Sequence, residues 1–114
     1  MNSNFWDTGI EIISLIKEIW EEPTSLRLET LRVRMNETLK TQLNQRYEEE
    51  IIAEIQYTKE KLRFSASSFE NVIEVKIFLY ANFPQKLIKF DNTYVELSKY
   101  PDKWISSSEV KNGN

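Results

Sequence analysis

The chain has neither cysteine nor histidine among its 114 residues. The first absence excludes disulfides, thiolate nucleophiles and cysteine-type zinc sites. The second removes the commonest general base and the commonest metal ligand together. Glycine is nearly as scarce. Gly9 and Gly113 are the only two, so no glycine-rich loop can cradle a phosphate. There is no long apolar run either: Glu11, Lys17 and Glu18 interrupt the first candidate, and Met1 to Asp7 carries no basic lead. Neither a signal peptide nor a membrane span is expected, and the expected location is cytoplasmic. With a net charge of −3, no global basic field draws the chain to nucleic acid or to an acidic membrane. These gaps leave no nucleophile–base pair, no cofactor fingerprint and no metal cluster, so the reading is not an enzyme, with no cofactor.

What is present is an ordinary globular composition, 40% apolar and 29% charged, enough for one domain with a modest core. That domain is read as residues 1–105, helical over 5–63 and in strands over 70–97. The small, polar residues 106–114 read as a flexible tail.

Phe5 to Trp20 predicts a first helix, because Trp6, Ile10, Ile13, Ile16 and Trp20 step by three and four. After Pro23, Thr24 and Ser25 can cap a second pattern running to Arg63. Those forty residues contain neither glycine nor proline, and Leu31, Met35, Leu39, Leu43, Tyr47, Ile51 and Ile55 recur at every fourth place. At about 100° per residue each such step overshoots a turn, so the stripe winds round the helix. Leu28, Leu31, Met35 and Leu39 share one face; Tyr47, Ile51, Ile55 and Leu62 lie nearly opposite. A single helix of this length would be about 60 Å long. It must break near residues 42–46 or bury its two halves against different partners.

Phe64 to Ser68 reads as a linker, a run of small residues between patterned segments, and beyond it the period changes. Val72 to Tyr80 is dense in β-branched and aromatic residues, with Ile73, Val75, Ile77 and Leu79 alternating. Lys86 to Phe90 and Thr93 to Leu97 flank Asp91-Asn92, a two-residue turn. The fold read from this is α+β: an N-terminal helix and one long, straight or kinked helix, then a small antiparallel three-stranded meander. The alternative is an all-α bundle, since Ser67 to Glu70 also fits a capping box and Phe69, Ile73, Ile77 and Tyr80 also fit a helix.

The function read from these features is a protein–protein interaction module: an adaptor, assembly factor, inhibitor or immunity-type protein. It self-associates as a homodimer through the unpartnered half of the long helix, or docks another protein. Trp6, Trp20, Tyr47, Ile51, Ile55 and Trp104 are the candidate contact residues, as tryptophan and tyrosine are enriched at binding hot spots. The alternative is a small nucleic-acid-binding regulator gripping phosphates through Arg27, Arg32 and Arg34. Glu50 and Glu54, one turn apart on such a helix, are the nearest approach to a metal pair and are better read as a solvated face.

Overall fold

The computed structural model describes residues 2–43, 50–84 and 86–102, with side chains between Gly9 and Tyr100. Helix α1 spans Asn2–Glu21 and ends just before Pro23, whose ring disfavours helix in the residue ahead of it. Its inner face is Ile12, Ile16 and Ile19, all fully buried. Helix α2, Ser25–Leu43, starts where Thr24 Oγ1 accepts the Arg27 amide at 3.1 Å, an N-cap bond. It buries Leu31, Met35 and Leu39, as the first half of the four-residue stripe requires.

The long helix does not exist. Helix α2 is described to Leu43, and most of the window in which a break is expected, residues 42–46, lies outside the described residues. The second half of the stripe instead enters a hairpin of strands β1, Ile52–Thr58, and β2, Lys61–Ala66. Ile55 pairs with Phe64 and Tyr57 with Leu62, so four apolar residues two apart share one face. The turn between them is Lys59-Glu60, with φ of 54° and 64°. Two successive left-handed residues give the type I′ geometry that matches strand twist, usually built with Asn-Gly.

The segment after this hairpin also differs from the strand reading. Phe69–Asn82 forms helix α3, with Ser68 as N-cap accepting the Asn71 amide at 3.2 Å. The cap and the one-turn repeats outweigh β-branched propensity, which tertiary context overrides readily. Strands β3, Lys86–Phe90, and β4, Tyr94–Asp102, pair antiparallel as a hairpin, but the connection is residues 91–93 with Phe90 opposite Val95, not the expected two-residue turn at Asp91-Asn92. There Asp91 Oδ1 accepts the Thr93 and Tyr94 amides at 2.7 and 3.2 Å.

The class is therefore α+β: three helices and one antiparallel sheet of order β1-β2-β4-β3, among the described residues. The helices lie over the apolar side of the sheet, where Phe64, Leu62, Val95 and Leu97 meet Ile16, Met35, Val75 and Leu79 in one core. No described helix is long and apolar enough to cross a membrane.

Asn36, Thr38, Asn71 and Ser98 are the buried polar residues among the described ones, and Asn36 is the most deeply buried. Asn36, 1% exposed, donates Nδ2–H to the Ile52 carbonyl at 3.0 Å and accepts the Ile52 amide at 2.7 Å. Its carboxamide thus takes the place of a neighbouring strand's peptide group, and it ties α2 to the start of the edge strand.

Candidate functional site

Several residues chosen from sequence are spent inside the domain. Ile51 and Ile55 are 0% and 6% exposed, so neither can form an interface and the homodimer built on them loses its surface. The reason is the hairpin: both side chains point into the chain's own core. Trp20 is half-buried, packs edge-on against Phe83 at 6.2 Å, and has the Lys86 ammonium 5.1 Å from its ring centroid. It reads as an internal clasp with a cation–π contact. Trp6 lies on α1 with its side chain outside the described part, and Tyr47 and Trp104 lie outside the described residues altogether.

The arginines of α2 are all matched by carboxylates. Arg27 donates to the Glu18 and Glu22 carbonyls at 3.2 and 2.9 Å, closing the last turn of α1, and pairs with both carboxylates. Arg32 bonds Glu29 at 2.6 Å and lies 3.5 Å from Glu50. The hydrogen bond from Arg32 is the main reason the Glu29 carboxyl titrates below its ordinary range. Arg34 bridges Glu11 and Glu37 at 3.4 and 3.7 Å. Such exposed pairs add little stability, but they leave no bare cationic row for a phosphate backbone. Glu50 and Glu54 are not one helical turn apart, and Glu50 is held by Lys40 at 2.9 Å. Among the described residues no group of three or more acidic side chains is placed to hold a metal ion.

The structure instead exposes a surface on α3. At about 100° per residue, Val72, Val75, Phe78 and Leu79 cluster on the side facing the sheet, and all four are buried. Phe69, Ile73 and Ile77 centre roughly 150° away. Phe69 and Ile77 are 54% and 55% exposed. α3 is therefore apolar on both sides, a pattern that belongs to a helix covered all round.

The outer stripe has company. On one side Lys76 Nζ sits 4.0 Å from the centroid of Phe90, which is 48% exposed at the end of β3. On the other side Ile77 borders a shallow hollow of about 150 Å³ with Gly9, Leu39, Leu43 and Phe78. Ile10, 61% exposed, comes directly after Gly9 on α1. A Cβ at Gly9 would stand 3.7 Å from Asn82 Oδ1, an ordinary van der Waals contact, so α1 and α3 approach here without requiring a glycine. Glu70 and Glu74 line one flank of the stripe and Lys76 the other.

Sequence reasoning sets Phe69, Ile73 and Ile77 on one helix face only in the all-α alternative and names none of them as a contact residue, because the alternation of 73, 75, 77 and 79 reads as a strand with only one wet face. The signal is present in another form. Seven of the nine residues from Val72 to Tyr80 are apolar, more than a helix on one side of a four-stranded sheet can bury. Comparison with family models, curated proteins and solved structures gives no match.

Proposed function

We propose that this chain is a non-enzymatic protein–protein interaction module that docks a partner against the outer face of α3. The observation that carries this is the second apolar stripe, with Phe69 and Ile77 half-exposed and Ile73 partly buried between them, on a helix whose opposite side already fills the core. Scattered exposed side chains need no explanation, but a contiguous apolar stripe rimmed by charge is what interaction surfaces present. Adaptor, assembly-factor, inhibitor and immunity-type roles all fit such a surface. If a second copy is the partner, it uses this face and not the hairpin. The nucleic-acid reading gains no support, because each arginine behind it already has a carboxylate.

The test is site-specific photocrosslinking in the native cell, with benzophenone side chains at positions 69, 73 and 77 and controls at the exposed Glu11 and Lys17 of α1. Discrete adducts confined to the α3 positions are expected, and those from position 73 should be lost on Phe69→Glu with Ile77→Glu. Adducts equally frequent at the controls, or absent at all three positions, would overturn the proposal.

A further inference from the structure

The second opening lies at the other end of the molecule, along β1. Strand order leaves β1 at an edge of the sheet. Three bonds of β2 decide which of its backbone groups face outward. The Ser67 amide donates to the Ile51 carbonyl, the Ala66 amide to Thr93, and the Glu60 carbonyl accepts from Lys99. Odd-numbered residues of β2 thus turn toward β1 and even-numbered ones toward β4. Gln56 pairs with Arg63 and Thr58 with Lys61, so those two bond inward. Ile55 and Tyr57 turn their N–H and C=O groups outward, and no described residue takes them.

Ile52, beyond a bulge, also faces outward, and there the lane is filled by the Asn36 carboxamide. Toward Thr58 the helix draws away and leaves a cleft of about 430 Å³ between Leu28, Glu29 and Arg32 on α2 and residues 53–58 of β1. An edge with exposed donors and acceptors is a template for one more strand. Six residues of β1 give it a length of about 20 Å.

The walls specify the occupant. Tyr57 and Leu28 are half-buried and apolar on the helix side of the cleft. On the solvent side Glu54 is exposed, and no described cation pairs with it. Symmetric β1–β1′ pairing centred on Ile55 or Gln56 would set the second copy where Asn36 bonds Ile52, and centring on Tyr57 would oppose Glu54 to the second copy's Glu60. We infer that the β1 edge receives, by antiparallel strand addition, an extended segment of another protein with a basic side chain opposite Glu54 and alternate apolar side chains toward Leu28 and Tyr57. This site is separate from the α3 face, and either can fail without the other.

The probe is a blocked octapeptide of alternating valine and lysine, titrated into the ¹⁵N-labelled protein. Saturable shifts and slowed exchange at the Ile55 and Tyr57 amides are expected, with Gln56 and Thr58 unchanged in exchange. Charge pairs directly across strands contribute up to about 1 kcal/mol, so Glu54→Lys should weaken the lysine peptide about fivefold to tenfold and favour a valine–glutamate peptide instead. A peptide N-methylated on its bonding edge should lose the shifts. No response at millimolar peptide, or shifts centred on Phe69 and Ile77, would overturn the inference. So would polymers of the wild type that protect Ile55 and Tyr57 without peptide, since the occupant would then be another copy.

Discussion

Asn36 gives the sharpest test of how this fold is held. Its two bonds to Ile52 satisfy an amide and a carbonyl that α2 has shut away from water. Asn36→Ala strands both groups. Each unmet buried group costs about 1–3 kcal/mol, so the loss should be about 2–6 kcal/mol from a domain whose whole stability is about 5–15. Asn36→Asp is more informative, because its outcome depends on pH. A protonated carboxyl can donate to the Ile52 carbonyl and accept the Ile52 amide, copying the asparagine. An ionised one has no donor and sets a negative oxygen against a carbonyl oxygen.

Burial and that carbonyl both raise the new carboxyl above its unfolded value of about 3.9. Arg32 and Lys40, one turn away on either side, would lower it, but both already answer to Glu50. A folded-state pKa raised above the unfolded one gives stability that is complete below about pH 4 and is lost as pH rises through the folded value. With a rise of about 3 units the variant should lie about 4 kcal/mol below wild type at pH 7 and approach it near pH 4. Urea melts of both proteins from pH 3.5 to 7.5, compared as differences, measure this. A deficit that stays flat across that range would refute the two-way bond.

The two hairpin turns give further tests. Lys59 and Glu60 hold left-handed backbone that costs a side-chain-bearing residue about 1–2 kcal/mol, so Lys59→Asn with Glu60→Gly should stabilise the protein by about 1–2 kcal/mol in urea melts; no gain would mean the turn is not type I′ in solution. Asp91 titrates below its ordinary range, chiefly because it accepts the Thr93 amide. A depressed pKa gives stability present above the unfolded value and lost as pH falls through the folded one, so the Thr93 and Tyr94 amide signals should titrate with a midpoint below that of a free aspartate and stop doing so in Asp91→Asn.

The parts of this fold that are legible from sequence are those where turn chemistry and periodicity agree. Asp91 marks the β3–β4 hairpin because its carboxylate bonds the chain two residues on. Pro23 and Thr24 mark the α1–α2 junction for equally local reasons. The β1–β2 hairpin is hidden because Lys59-Glu60 carries no turn residue, and Leu, Glu, Gln and Lys around it favour helix. The overshooting four-residue stripe is the one symptom of the change of state. α3 is ambiguous because a helix apolar on both faces and a buried strand have the same composition. Asn36 is invisible: nothing near it in the chain announces a partner sixteen residues away.

The two edges of the sheet are managed differently, and the difference bears on which edge can accept a strand. At β3 the Asp91 amide bonds Tyr94, which by alternation leaves Ile88 and Phe90 facing outward. A symmetric β3–β3′ pairing would centre on Lys89 and oppose two ammonium groups at close range, the usual guard on an edge strand. β1 carries no lysine along Ile52–Thr58. Its guard is the Asn36 carboxamide, which closes only the Ile52 end, and its solvent face begins with Glu54. One edge is thus closed to copies of itself by like charge. The other is closed for one residue by an internal mimic of a strand and open for the next several. A sheet protected throughout would carry lysines on both edges; this one protects the edge beside the exposed α3 stripe and leaves the opposite edge able to pair.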